Sequence, residues 1–238
     1  MPMRLDKYLS SLTGLTRSQA RAAIASGRVQ VNGAFITDAG MRTDEARDVV
    51  ALDGSALRFE AHLHLMLNKP AGVVTATRDA HARTVLDLVP EEYAHWQVTP
   101  VGRLDRDTTG LLLLTTDGQL AHRLISPRHH IDKEYIARVD GVLSGDDAAA
   151  FAAGMELDEF TALPAQLEII APDTARVVLT EGKYHQVKRM FAARGKPVLE
   201  LKRVRMGSVL LDDALPPGGV RRLTQAEIDA LYSAAGLG

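Results

Sequence analysis

The sequence contains no cysteine among its 238 residues. Without a thiol, disulfides, thiolate nucleophiles and cysteine-rich zinc sites are all excluded. Long hydrophobic runs are also missing: the longest aliphatic run, residues 111–114, is far shorter than the roughly 20 residues that a membrane helix requires. No apolar segment follows the positive charge at the N-terminus, so no secretory signal is predicted. We therefore expect a cytoplasmic protein with no membrane partner.

Signatures of cofactor binding are absent as well. Neither glycine-rich nucleotide-binding pattern, G-x-G-x-x-G or G-x-x-x-x-G-K-[ST], occurs in the sequence. Histidines stand close together at His62 and His64, and again at His129 and His130, but no third ligand has a supporting spacing at either place. The sequence therefore predicts no metal site and no cofactor.

The charge is unevenly distributed, although the net charge is only −2. Residues 1–35 contain five lysines and arginines against one acid, and residues 183–205 contain eight against one. Solvated helix faces can also be charged, but two separate basic blocks favour a polyanion partner, because phosphate binding needs a local basic surface. Hydrophobic residues make up 46% of the chain, enough for a folded core.

Residues 1–60 are predicted to form a small α/β module. Apolar residues at helical spacing from Leu5 to Leu12 predict a first helix, and Gly14 ends it. Thr16 caps a second helix, with Gln19 completing a capping box. Arg17 and Arg21 then lie one turn apart on its exposed side. Short strands are predicted at 29–31 and 34–36, and residues 55–61 form the predicted linker.

Residues 62–238 are predicted to form a larger domain with mixed, mainly antiparallel sheet. Apolar residues alternate at positions 63, 65 and 67, as in a half-buried strand. No regular βαβ rhythm is present, so the fold class is α+β. Further strands are predicted at 73–75, 110–116, 133–139, 165–170, 175–180 and 198–211, and helices at 84–89, 119–125, 146–153, 184–194 and 224–234.

The densest polar cluster, residues 101–110, is a charged loop that leads into a fully buried strand. A carboxylate such as Asp105 would be partly desolvated there, and the flanking Arg103 and Arg106 could hold it ionised. An ordinary turn with surface ion pairs is the alternative. Asp107 is assigned to a turn with Thr108, because two carboxylates of one loop do not flank a sugar as a glycosidase requires.

Two segments resemble known families. Residues 4–9 (RLDKYL), 16–21 (TRSQAR) and 27–33 (GRVQVNG) resemble an S4 RNA-binding domain. Beyond residue 62, four motifs resemble those of pseudouridine synthases: 67–72 (LNKPAG), 102–111 (GRLDRDTTGL), Lys133-Glu134-Tyr135 and 181–190 (EGKYHQVKRM). Residues 126–130 (SPRHH) and 184–186 (YHQ) are most similar to the RsuA-type group, the bacterial enzymes that act on small-subunit (16S) rRNA.

The resemblance implies that the chain isomerises a uridine of folded rRNA to pseudouridine without a cofactor. Asp105 would be the catalytic carboxylate, acting as a nucleophile or as a base at the sugar. Tyr135 would stack on the target base, and Lys188, where many relatives have Arg, would be the cation that keeps Asp105 ionised. Lysine keeps the charge but lacks the bidentate fork of arginine. A core tyrosine and a solvated lysine are the plain alternatives.

Basic residues in both parts are predicted to contact the RNA. Arg103 would occupy the space that the extruded target nucleotide leaves. The substrate would be 16S rRNA, free or in a partly assembled small subunit, and the enzyme a monomer. Alternatives are a synthase for 23S rRNA or tRNA, or a non-catalytic RNA-binding or ribosome-assembly protein. The predicted RNA contacts are Arg103, Arg17, Arg21, Arg28, Lys69, Arg128 and Arg189.

Overall fold

The computed structural model describes residues 2–44, 47–57 and 61–237. The chain divides into two compact units, Met1–His62 and Leu63–Gly238. None of the helices in these described ranges combines the length and the apolar character needed to cross a bilayer.

The N-terminal unit has two helices beside a four-stranded antiparallel sheet. The capping box of Thr16 and Gln19 is present at the start of the second helix, and Gly14 ends the first helix in the left-handed conformation. Its core contains Leu5, Leu9 and Ile24. In chain order the elements are β1 (Met3–Arg4), α1 (Leu5–Thr13), α2 (Arg17–Ala25), β2 (Val29–Val31), β3 (Ala34–Phe35), β4 (Arg42–Thr43), β5 (Val50–Leu52) and β6 (Ser55–Leu57).

The order in the main sheet of this unit is β3-β2-β5-β6, and β1 pairs with β4. The predicted linker at 55–61 is wrong in its first part, because Ser55–Leu57 pairs in antiparallel register with Val50–Leu52. The turn at Asp53 and Gly54 makes this hairpin possible, since both residues have positive φ angles. Residues 58–60 of the predicted linker lie outside the described residues.

The C-terminal unit is built on one large mixed sheet. Its strands are β7 (His64–Lys69), β8 (Thr99–Pro100), β9 (Thr109–Thr115), β10 (Lys133–Val139), β11 (Met155–Leu157), β12 (Phe160–Ala162), β13 (Gln166–Ala171), β14 (Thr174–Leu179), β15 (Val198–Met206), β16 (Val209–Leu210) and β17 (Val220–Arg222). Its α-helices are α3 (Gly118–Ile125), α4 (Gly145–Ala153), α5 (Gln186–Ala193) and α6 (Gln225–Ala234), and 3-10 helices span Val85–Leu88, Glu91–Trp96 and Pro127–His129.

The strand order is β13-β14-β10-β15-β9-β7-β17, with β16 beside β15, β8 beside β9, and β11 paired with β12 in a separate hairpin. Only the β9–β15 pairing is parallel among the described strands of this sheet. The α+β prediction with mainly antiparallel pairing is confirmed. Leu112 and Leu114 pack in one core, while Leu111 and Leu113 pack in the core on the opposite face. Burial on both faces explains why β9 is a continuous apolar run.

Three predicted elements differ from the structure. Residues 73–75 form no strand; only Val74 makes an isolated bridge, with Thr84. The helix predicted at 84–89 is present but shorter, as the 3-10 helix Val85–Leu88 with Thr84 as its N-cap. The predicted strand at 198–211 is interrupted by a turn at Gly207, which has a positive φ of 58°, and continues as the short strand β16. Local turn geometry, which apolar periodicity does not encode, accounts for the last difference.

The parallel contact between β9 and β15 requires glycine at position 110. Gly110 has a φ of +96°, and a Cβ atom there would lie 2.2 Å from the carbonyl oxygen of Arg203. Any side chain would therefore force the two strands apart. This close approach fixes the start of β9, and with it the polar loop that immediately precedes β9.

Candidate active site

Asp105 lies in the loop before β9, and its side chain is one-quarter exposed. Lys188, in the first turn of α5, places its Nζ 3.0 Å from Oδ2 of Asp105. The apolar residues Val187, Met190 and Phe191 are buried and orient α5 against the core. The structure thus joins the predicted carboxylate and the predicted cation in a direct ion pair.

Lys188 is shared between two carboxylates. Its Nζ also lies 2.5 Å from Oδ1 of Asp107. Although partial burial works in the opposite direction, the hydrogen bonds and charges of Asp107 and Asp105 raise the pKa of Lys188. The hydrogen bond from Lys188 in turn lowers the pKa of Asp107. The predicted turn of Asp107 with Thr108 is present, closed by the amide of Thr108 on the carbonyl of Asp105. The prediction missed the ion pair that the Asp107 side chain makes with Lys188.

His185 is a further neighbour of Asp105 that the sequence interpretation did not identify. Its Nε2 lies 3.4 Å from Oδ1 of Asp105, on the other carboxylate oxygen from Lys188. His185 adopts the left-handed conformation, with φ 54° and ψ 27°, immediately before α5. The loop before it is held by Gln186, whose side chain accepts from the amide of Lys183 and donates to Glu181. The sequence signal for His185 was its place inside the motif 184–186.

Lys69 is fully buried, so the prediction that it contacts RNA is wrong. Its Nζ donates to the backbone carbonyls of Asp105 at 2.9 Å and Thr108 at 2.8 Å, and to those of Pro70 and Arg106 at 3.2 Å each. Burial lowers its pKa to about 8, and the charges of Asp107 and Asp105 offset part of this effect. Lys69 therefore anchors the loop of Asp105 from inside the protein.

Tyr135, on β10, lines a cavity of about 70 Å³ together with Asp105 and Arg103. The tyrosine is 9% exposed, whereas Arg103 is exposed. A second cavity of about 530 Å³ adjoins the first, since Arg103, Asp105 and His185 line both. We call the smaller cavity the inner cavity and the larger one the outer cavity. Asp105 and Tyr135 line the inner cavity, and Lys188 is joined to them through its ion pair with Asp105.

The arginines predicted to bind RNA in the N-terminal unit are anchored by carboxylates. Asp6 is buried and accepts hydrogen bonds from Arg17 at 2.9 and 3.0 Å and from Arg21 at 2.8 Å. Burial opposes ionisation, but these bonds and that of Arg4 hold the pKa of Asp6 well below its usual range. The arginine side chains stay about half exposed. Arg28 pairs in the same way with the exposed Asp53.

The other two predicted RNA contacts lie in the C-terminal unit. Arg128 is exposed on the 3-10 helix Pro127–His129. Arg189, in α5, pairs with Glu159 at 2.8 Å, and its guanidinium lies 5.3 Å from the ring centre of Tyr184. Within the described ranges, no group of three or more histidine and carboxylate side chains is arranged to hold a metal ion.

Two family models identify the class of this protein. The model of the RNA pseudouridylate synthase family matches residues 63–193, and that of the S4 domain matches residues 3–49. The chain belongs to the RNA pseudouridylate synthase family. The family, enzyme and fold predictions made from the sequence are therefore confirmed.

Individual relatives are similar over nearly the whole chain. The chain is 44% identical over 229 residues to the ribosomal small subunit pseudouridine synthase A of Yersinia pestis, covering 95% of this chain and 97% of that protein. The protein of the same name from Escherichia coli strain K12 is also 44% identical, with 95% and 98% coverage. A crystal structure of a pseudouridylate synthase with 38% identity superimposes with a TM-score of 0.68, covering 96% of this chain and 99% of that one.

Proposed function

We propose that this enzyme converts one specific uridine of 16S rRNA to pseudouridine, with Asp105 as the catalytic residue. The main support is the meeting of Asp105, its ion pair with Lys188, and Tyr135 at one cavity. The relatives from Y. pestis and E. coli, which are named for the ribosomal small subunit, support the choice of substrate. A ribosomal substrate implies action in the cytoplasm.

The reaction is an isomerisation in which atoms balance without a co-reactant. The N1–C1′ bond breaks, the base turns, a C5–C1′ bond forms, and C5 loses a proton while N1 gains one. A carboxylate is required either to attack the sugar or to remove a proton from it. Both roles need an anionic Asp105, and the ammonium of Lys188 at 3.0 Å stabilises that charge.

The two oxygens of Asp105 have different surroundings. Oδ2 accepts from Lys188 at 3.0 Å and faces the Thr108 hydroxyl at 3.5 Å, whereas Oδ1 has the longer contact of 3.4 Å with His185. A lone pair committed to a short, charge-assisted hydrogen bond is a weaker nucleophile and base. We therefore assign Oδ1 as the oxygen that reacts with the nucleotide.

Tyr135 and Arg103 would divide the work of holding an extruded nucleotide. The uridine must leave its stack before C1′ and both faces of the base become accessible. The ring of Tyr135, mostly buried in the inner cavity, offers a stacking surface for the target base. The exposed Arg103 at the same cavity would occupy the vacated position in the RNA. Because all these groups come from one chain, the site supports action as a monomer.

The test is a map of pseudouridine in rRNA from a deletion strain, by carbodiimide-blocked primer extension. One 16S signal should disappear and return with the wild-type gene or with Asp107→Asn, but not with Asp105→Asn, which is nearly isosteric yet cannot act as nucleophile or base. Loss of a 23S or tRNA signal would reassign the substrate. Unchanged pseudouridine in all RNAs would favour the non-catalytic alternative.

A further inference from the structure

Tyr184 is a large aromatic side chain that the fold leaves exposed beside the active site. It is 64% exposed, immediately before His185 in the loop that leads to α5. Its ring stacks on the ring of His185, with centroids 3.8 Å apart and an angle of 21° between the planes. Because His185 also contacts Asp105 at 3.4 Å, the stacked pair extends outward from the catalytic carboxylate.

Cations lie near the ring of Tyr184 and near that of Phe160. The guanidinium of Arg189 lies 5.3 Å from the ring centre of Tyr184 and 5.8 Å from that of Phe160, and Nζ of Lys183 lies 5.9 Å from the Phe160 ring. Exposed aromatic rings among basic side chains are the combination that single-stranded RNA uses, because bases stack on the rings while phosphates meet the cations. A core role for Tyr184 is inconsistent with its exposure.

Tyr184 lines the outer cavity of about 530 Å³, on whose wall Asp79 also lies. The Asp79 carboxylate accepts from the amides of His81 and Ala82, at 2.8 Å each, and both bonds end on Oδ1. These bonds fix the carboxylate, and neither of the two amides donates to Oδ2. A carboxylate repels phosphate but accepts from the amino groups of cytosine, adenine or guanine. The cavity therefore offers a stacking surface together with an acceptor for a base edge.

We propose that the outer cavity is a second nucleotide subsite, in which the base next to the target uridine stacks on Tyr184 and donates an amino hydrogen to Asp79. This inference rests on the proposed function, because it needs a uridine held at Asp105. The two cavities share Arg103, Asp105 and His185 in their walls, as binding of consecutive nucleotides requires. Uracil, which has no amino group, is the base that this subsite disfavours.

Stacking is tested by pairing a protein change with an RNA change. Substrates are fragments of the organism's rRNA with the mapped target uridine and an abasic residue at either neighbouring position. For the wild-type protein, one of the two abasic fragments should lower kcat/KM by roughly 5- to 150-fold, the range measured for loss of one stacked base. Tyr184→Ala should lower kcat/KM on the intact fragment by a similar factor. For this variant, the abasic residue should lower kcat/KM little further. Tyr184→Phe, which retains the ring, should behave as wild type.

The acceptor is tested by Asp79→Asn, which keeps an oxygen for the two amides but can present an amino donor in place of Oδ2. Wild-type protein should prefer a neighbour with an amino group over uridine, and Asp79→Asn should weaken or reverse that preference. If the abasic residue lowers kcat/KM equally in the wild-type protein and in Tyr184→Ala, the second subsite is refuted while the proposed function stands. Absence of turnover on the intact fragment would instead contradict the proposed function. Unchanged thermal unfolding of each variant excludes a folding defect.

Discussion

Replacement of Lys69 by Met is expected to displace the loop before β9 and so lower the turnover rate. The free energy of unfolding at pH 7 should change only modestly. The ammonium lies within hydrogen-bonding distance of four backbone carbonyls, which share its three N–H groups. After its removal, the carbonyl of Asp105 still accepts from the amide of Thr108 at 3.2 Å, and that of Arg106 from Gly72 at 2.8 Å. The carbonyls of Pro70 and Thr108 are deprived of the ammonium, at about 1–3 kcal/mol for each unsatisfied buried group.

Removing the buried charge acts in the opposite direction. A pKa lowered from 10.5 to about 8 means that the folded protein holds the charged form at a cost of about 3 kcal/mol, at about 1.4 kcal/mol per pH unit. The two effects nearly cancel, and the net destabilisation at pH 7 should not exceed about 3 kcal/mol. The turnover rate should still fall by at least ~100-fold, because small displacements of a reacting group have effects of that size.

The pH dependence distinguishes this explanation from a general packing defect. Between pH 8 and pH 10.5 the unfolded chain keeps Lys69 protonated while the folded protein releases the proton, so this group makes stability rise with pH. The wild-type protein should therefore gain about 2–3 kcal/mol over Lys69→Met between pH 7 and pH 10. The assay is urea unfolding of both proteins at the two values, and Lys133, whose pKa burial also lowers to about 8, cancels in the difference.

Lys202→Met, at an exposed lysine of β15, is the matched control and should change the free energy of unfolding by less than about 0.5 kcal/mol at either pH. If the free energies of unfolding of the wild-type protein and Lys69→Met change equally with pH, the reasoning is refuted. Only the wild-type protein has a Lys69 proton to release, so the two pH dependences must differ.

Three other perturbations test two of the ion pairs and the N-terminal unit. Lys188→Met should lower kcat by about 100-fold or more and Lys188→Arg should restore most of it, as measured in single turnovers on one rRNA fragment; full activity of the Met variant would contradict the role of the ion pair. Asp6→Asn should destabilise the N-terminal unit by about 1.5–3 kcal/mol at pH 7. Because the folded pKa of Asp6 is lowered, urea unfolding should show this difference shrinking as the pH falls below about 4. Removing residues 1–60 should leave a folded catalytic unit with a higher KM for structured rRNA. Its plot of log Kd against log salt should be shallower by about 0.7–0.9 for each phosphate that the module neutralises in the intact protein, and identical slopes would exclude RNA binding by the module.

Local sequence signals predicted most of the fold because the responsible interactions are local. The capping box at Thr16 involves residues three positions apart, and the apolar run of β9 directly reflects burial on both faces of the sheet. Register and strand order depend instead on distant pairings, such as the parallel contact of β9 with β15, which periodicity does not reveal.

The same distinction explains which side-chain contacts the sequence did not reveal. Asp107 and Lys188 are 81 positions apart, so their contact has no local signature. Lys69 is 36 and 39 positions from two of the residues whose carbonyls it binds, and a motif lysine with unknown burial resembles any RNA-binding lysine. Arg17 and Arg21 fall on the exposed side of a helical wheel, yet their guanidiniums return to Asp6, which is buried in the preceding helix.

Two carboxylates beside the proposed RNA site would ordinarily repel a polyanionic substrate. Here Asp105 and Asp107 are balanced by two ammonium groups, the partly exposed Lys188 and the buried Lys69. At pH 7 these four groups have a net charge of zero, so the approach of RNA phosphate meets no excess negative charge, and exposed Arg103 adds attraction. The balance requires a protonated Lys69, whose pKa is about 8. Release of that proton at higher pH would change the net charge of these four groups from zero to −1. Burial of Lys69 beneath the loop thus holds the backbone of Asp105 and, under the proposed function, would also make the carboxylate pair compatible with RNA.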